Sequence, residues 1–193
     1  SGIVSLMLGT AVLAQNNATE VSQPGGQASG VWQAPNTAHP GGKLPKNVKV
    51  QLVEVAGGFV DPIHITSAND GTGRLFVCER PGVIRIIDKD GKVMDEPFYD
   101  NRANTSFQFL ENGLYCVEFS PKFKENGLLY IAYADMWFNG ATFVVEYHVD
   151  PNDPNKVDMT SARPIIRIDF PYCNHHGGKM KFGPDGYLYL GVG

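Results

Sequence analysis

Cysteine is scarce: the 193 residues hold three, Cys78, Cys116 and Cys173, far apart and with no CxxC pair. That excludes a zinc knuckle and a dense disulfide framework. Charge is scarce as well, at 19% of residues, and 16 Lys+Arg against 20 Asp+Glu leave a net charge of −4 with no basic block. A nucleic-acid partner bound by counterion release is therefore not expected. No apolar run approaches the ~20 residues that a bilayer-crossing helix needs, so no stable transmembrane span is expected. Beyond Val48 a sustained 3.6-residue apolar period is missing, which argues against a helical bundle. What is abundant is turn chemistry and aromatic surface, with 22 Gly, 13 Pro, 11 Phe and 8 Tyr in a chain that is 42% hydrophobic. That mixture is long enough for one sizeable core and suits many short strands joined by turns.

The two ends carry a different message. Ile3 to Gln15 is an uncharged run of apolar and small residues, roughly a dozen long, which fits the apolar core of a secretory signal. Ala11 and Ala14 offer small residues for cleavage, so residues 1–14 are expected to be a truncated signal peptide of an exported protein. Residues 15–47 are dominated by Gly, Pro, Ser, Asn and Gln without any apolar period. They read as a flexible linker, because so little buried surface cannot offset the entropy of ordering it. Two N-x-[ST] sequons, at Asn17 and Asn104, are glycosylation candidates in such a compartment. The chain stops at GYLYLGVG, inside an alternating pattern with no turn after it, so it is expected to be a fragment.

From Val48 onward, apolar runs of four to eight residues recur. They cover 48–56, 74–80, 83–88, 114–120, 128–134, 142–149, 164–170 and 187–193. They are rich in Val, Ile, Tyr and Phe, and several alternate polar and apolar residues as half-buried strands do. The joints between them, such as DGTG (70–73), RPG (80–82), KENG (124–127) and GPDG (183–186), are Gly- or Pro-bearing turns. The expected class is all-β. A Gly-containing turn followed by an aromatic-bearing strand repeats, with 54 residues from Gly73 to Gly127 and 59 from Gly127 to Gly186. Periods of that order match four-stranded blades of a β-propeller. Residues 48–193 then hold two blades and the opening of a third.

The densest polar constellation is Cys173-Asn174-His175-His176-Gly177-Gly178-Lys179. Two glycines allow a close backbone approach to a ligand, and a histidine in such a loop can act as a base near neutral pH. Cysteine and histidine also ligate metals, but adjacent His175 and His176 point to opposite sides of an extended backbone. No metal site is assigned on that spacing, and from spacing alone a hydrogen-bonded turn is the preferred reading of the loop. Asp150 to Asp158 lacks the glycine and glutamate of a calcium-binding helix-loop-helix and reads as an Asx/Pro turn. Gly71-Thr-Gly73 lacks the third glycine and the helix of a dinucleotide fingerprint. Glu111, by itself, reads as a solvated loop carboxylate.

Three phrases together resemble the glucose/sorbosone dehydrogenase family of soluble quinoprotein propellers. They are DGTGRLFVCERPGVIRIIDKDGKVMDEPF (70–98), ENGLYCVEFSPKFKENGLLYIAY (111–133) and NHHGGKMKFGPDGYLYLGVG (174–193), and the likeness spans about three quarters of the chain. The resemblance implies the N-terminal part of a six-bladed propeller carrying pyrroloquinoline quinone (PQQ), held partly through Ca²⁺, that oxidises a sugar or related alcohol. It implies that His175 is the base taking the substrate's hydroxyl proton while a hydride moves to the quinone. It places Glu111, Asn174, His176, Gly177 and Gly178 beside substrate and cofactor. The cationic clamp and the calcium ligands of the family belong to later blades, and the fragment itself is expected to be inactive because an incomplete propeller leaves sheet faces uncovered and cannot close its ring. Two departures stand out: His176 replaces the Asn of the NHNGG pattern, and Tyr115-Cys116 replaces the Leu-Gly of GLLG. The same propeller also serves secreted binding modules of the hedgehog-interacting protein type, which are the alternative to an enzyme.

Overall fold

A computed structural model describes residues 52–109, 111–136 and 140–193. The expected signal segment 1–14, the linker 15–47 and the Asn17 sequon lie outside those residues. The backbone from residue 52 onward is antiparallel sheet joined by tight turns. β1 (Pro62–Thr66), β2 (Leu75–Glu79), β3 (Val83–Ile87) and β4 (Tyr99–Asp100) form one four-stranded sheet in simple up-and-down order. β5 (Leu114–Phe119), β6 (Leu128–Ala134), β7 (Thr142–Asp150) and β8 (Asp153–Ile168) form a second of the same order. A single helical turn, α1 (Phe123–Asn126), sits between β5 and β6. β9 (Met180–Phe182) and β10 (Leu188–Leu190) pair as a third, two-stranded sheet. The innermost strands lie side by side, β1 against β5 and β5 against β9. This is the radial arrangement of propeller blades.

The repeated glycine phrase has a local cause. Gly73, Gly127 and Gly186 stand just before β2, β6 and β10, the second strand of each sheet, with φ of 76°, 64° and 84°. A left-handed residue is what turns the chain back there, and glycine adopts it without a Cβ clash. The sequence period is thus the blade period.

Between the first two sheets lies the main core. Phe76 touches Phe119 (4.6 Å between ring centroids) and Phe98 (4.8 Å), and Phe119 touches Phe123 (4.8 Å). Ile84, Ile86, Leu114, Val117, Leu129 and Ile131 fill the space around them. Each such side chain removed from water contributes roughly 1.5–3 kcal/mol. A smaller cluster of Cys116, Ala132, Val144 and Met180 joins the second sheet to the third.

One expected strand, at 48–56, is not formed over its described residues 52–56. Residues 52–56 carry no strand, and Leu52, Val53 and Val55 are exposed, while the first sheet begins at Pro62–Thr66 instead. The alternation of 48–56 fits a strand, but no sheet edge pairs with residues 52–56, and β1 pairs β2 in their place. β8 is also longer than expected, because the Asp150–Asp153 turn, closed by Asn152 N–H donating to Asp150 Oδ1 (2.7 Å), leads directly into strand. No helix among the described residues is long and apolar enough to cross a membrane.

Candidate functional site

Two loops enter neighbouring inner strands from the same end: Glu111–Gly113 leads into β5, and Asn174–Lys179 leads into β9. The backbone N–H of His175 donates to Glu111 Oε2, so the carboxylate of one loop holds the main chain of the other. His175 is left-handed, at φ 62°, which is uncommon for a residue with a Cβ. Glu111, Asn174 and His175 are all exposed. A charge-assisted bond from a carboxylate to that N–H offsets part of the cost of the left-handed conformation.

His176 faces the other way, into the protein, and is 1% exposed. Its Nε2 lies 3.1 Å from the Tyr172 carbonyl oxygen and its Nδ1 3.0 Å from the Tyr115 hydroxyl. These partners fit the tautomer in which Nε2–H donates to the carbonyl and Nδ1 accepts from Tyr115. The ring also stacks on Phe170, with centroids 4.5 Å apart and planes 9° off parallel. His176 is a pin that fixes the loop from beneath.

The glycines serve the same packing. A Cβ on Gly177 would lie 2.7 Å from Val192 Cα and collide with the Gly191 carbonyl. One on Gly178 would strike the Tyr115 ring. The close backbone approach that the sequence suggests is therefore made to the protein's own β10 end and to Tyr115. Tyr115 reaches across because β5 carries a register shift between Leu114 and Cys116. A bulge of that kind re-aims a side chain. Cys116 then tucks beneath: its thiol donates to the Gly178 carbonyl (3.0 Å) and its sulphur accepts the Met180 N–H (3.2 Å). Burial pushes this thiol up to about 12, so it keeps its proton at neutral pH.

Behind the loop, Lys179 Nζ donates to His64 Nδ1 (2.9 Å) on β1. His64 is buried, and burial and the Lys179 charge lower it to about 4. In the sequence Lys179 reads only as the end of the 173–179 constellation and His64 is not singled out, since a lone His in an apolar strand and a Lys in a turn carry no shared signal. Arg80, read there only as part of an RPG turn, also reaches the site: it donates to carbonyls in the Glu111 loop. Asn104 is exposed in the turn after β4, where its side-chain nitrogen donates to Asn101 Oδ1 (2.8 Å). Cys78, Cys116 and Cys173 are free thiols. A pocket of about 300 Å³, lined by Ser67, Asn69, Glu118, Ser120 and Lys181, lies at the opposite end of the inner strands, away from His175.

Two four-stranded blades and a third begun, with a Glu–His loop pair over their inner strands, define a propeller with its polar site at one end of the axis. The profile of the family described as Glucose / Sorbosone dehydrogenase matches residues 59–193, and the chain belongs to that family. It is similar to human hedgehog-interacting protein, 33% identical over 152 residues, covering 74% of this chain and 22% of that protein. The HIPL2 protein of Arabidopsis thaliana is 27% identical over 195 residues, covering 78% of this chain and 27% of its own. The chain thus spans about a quarter of the length of these relatives. Among solved structures, the PQQ-bound aldose sugar dehydrogenase of Streptomyces coelicolor superposes with a TM-score of 0.62 at 24% identity, over 74% of this chain and 40% of that one. The apo form of the Escherichia coli soluble aldose sugar dehydrogenase gives 0.58 at 20% identity, over 70% and 38%. These two likenesses show the fold.

Proposed function

We propose that the complete protein is an exported PQQ-dependent dehydrogenase that oxidises a sugar or a related alcohol, with His175 as the base. The observation that carries the reading is the joining of Glu111 to the main chain of His175 across two inner strands, with the His175 residue left exposed at the site. The donor set fits the proton-accepting side of a quinone site: an exposed imidazole, a carboxylate beside it, and a loop pinned by His176 so that neither drifts. It does not fit a tricarboxylate clamp, because Arg80 is engaged by Asp61 and three carbonyls and the Lys179 ammonium rests on His64. The clamp and the Ca²⁺ ligands are assigned to later blades.

The chemistry that PQQ supplies when bound is acceptance of two electrons from the alcohol carbon. This chain's part is to receive the hydroxyl proton at the His175 imidazole and to orient the sugar through Glu111. Asn174 shapes the same loop. Residues 1–14 as export signal, 15–47 as linker and 48–193 as blades belong to the proposal, as does glycosylation at Asn17 and Asn104.

The 33% identity to hedgehog-interacting protein supports a second reading, a non-enzymatic extracellular binding propeller. There the Glu111–His175 pair is only a loop lock. The separating experiment reconstitutes the full-length protein with PQQ and Ca²⁺ and follows dye reduction with aldoses. The enzyme reading expects activity that falls about 10²–10⁴-fold in His175→Ala. No activity in wild type, or none lost in the variant, removes it in favour of the binding module.

A further inference from the structure

We infer that Arg80 is the positioning residue for the Glu111–His175 pair, acting from the neighbouring blade. The inference rests on the site proposed above for its consequence in catalysis, but not for its geometry. Arg80 follows β2 directly, in the first sheet, while Glu111 and His175 precede the inner strands of the second and third. Its Nη1 donates to the carbonyl oxygens of Phe107 (3.1 Å), Phe109 (3.1 Å) and Asn112 (3.2 Å). Those carbonyls bracket Glu111 on both sides. The guanidinium is itself held, since Nε donates to Asp61 Oδ2 at 2.5 Å.

The backbone repeats the attachment. Arg80 N–H donates to the Asp61 carbonyl (3.0 Å), and Leu114 N–H donates to the Arg80 carbonyl (2.9 Å). Between them Gly113, at φ 153°, lies flat against the arginine, and a Cβ there would run into the Arg80 stem. The planar guanidinium divides the work: the two N–H groups of Nη1 are shared among three carbonyls of one loop while Nε bonds a carboxylate. Without the guanidinium, the loop keeps its backbone anchors at Ser106, Gly113 and Leu114, and the segment between them that carries Glu111 loses the side-chain clamp on the Phe107, Phe109 and Asn112 carbonyls. Exposed loops of this kind otherwise sample many conformations. The carboxylate reaches the His175 N–H because the backbone on either side of Glu111, at Phe109 and Asn112, is held by Arg80.

The test reads the His175 amide directly in the full-length protein labelled with ¹⁵N-histidine. Glu111→Gln defines how far the His175 amide proton moves when its carboxylate acceptor is lost. Arg80→Met is expected to move that resonance at least half as far in the same direction, and to raise the hydrogen-exchange rate of the amide about tenfold. Arg80→Lys, which keeps the charge and fewer donors, is expected to recover part of the shift. A folded Arg80→Met protein with the wild-type His175 resonance overturns the inference. If Arg80→Met does not fold, Asp61→Gly decides, because glycine suits φ 49° at that position and removes only the carboxylate behind Arg80. An intermediate shift supports the inference and an unmoved resonance overturns it. In the dehydrogenase assay Arg80→Met is expected to lower kcat about 10–100-fold with KM within about threefold. A protein with no dye reduction but with the expected amide shifts sinks the redox reading and leaves the positioning role standing.

Discussion

The hydroxyl of Tyr115 and Nδ1 of His176 lie 3.0 Å apart, joining the bulge of β5 to the loop that enters β9. The bond makes the departure from the family's GLLG pattern and the departure from its NHNGG pattern a single feature: the ring introduced by one meets the ring introduced by the other. Tyr115→Phe is expected to cost about 1–2 kcal/mol, since it strands a buried ring nitrogen without changing shape. His176→Ala also removes the stack on Phe170 and leaves a cavity, so it is expected to cost about 2–4 kcal/mol. Urea unfolding of both variants checks the order. A His176→Ala protein as stable as wild type would show that the pin holds nothing.

Gly178 is constrained by its neighbour as well as by its backbone. At φ 95° it is strained for any side chain, and an added Cβ would sit 2.7 Å from Tyr115 Cβ. Gly71, at φ 85°, has the backbone constraint but open space around it. Gly71→Ala is therefore expected to cost about 1 kcal/mol and Gly178→Ala clearly more, about 3 kcal/mol. Equal losses in thermal melts would mean that the Tyr115 contact yields without cost.

Blades were legible in the sequence because their signal is local. Gly127 must be left-handed to start β6, and the continuous apolar run LLYIAYA follows from a strand packed on both faces. The site was legible only as a loop. Nothing in the string NHHGG says which imidazole turns inward, since that depends on Tyr115, sixty-one residues away, and on Phe170. Arg80 looked like turn punctuation for the same reason: its partners are carbonyls, which leave no mark on residue identity. The described part of the 48–56 run, residues 52–56, is not strand, because alternation reports a capacity to pair, whereas pairing needs a free edge.

Cysteine chemistry follows from burial. Cys78 and Cys116 are buried, and burial holds both thiols protonated, whereas Cys173 is half-buried in the loop before His175. Thiolate is the reactive form, so a disulfide dye is expected to label Cys173 first, about two orders of magnitude faster than the others. Mass mapping of the labelled protein gives the order. Rapid native labelling of Cys116 would mean that the seam between β5 and β9 opens readily.

His64 makes stability depend on pH in a window of its own. Its folded value is about 4, against 6.5 for the free side chain, with burial as the larger cause and Lys179 and Lys181 adding to it. The unfolded chain therefore binds a proton that the folded protein refuses. Stability from this group is full above pH 6.5, is lost as pH falls from 6.5 towards 4, and levels off below. The loss between pH 7 and 5 is expected to be about 2 kcal/mol, of a total on the order of 3. The carboxylates with lowered values, Asp70, Asp100 and Glu146 among them, add their own loss only at lower pH, as each falls below the ordinary carboxylate range. His64→Gln keeps hydrogen-bonding groups in place without a titration, so its unfolding free energy is expected to be nearly flat from pH 7 to 5. Lys179→Met removes one cause of the depression and is expected to shrink the wild-type slope without abolishing it. If His64→Gln retains the full slope, the acid sensitivity arises elsewhere and the burial of His64 beside Lys179 is not its source.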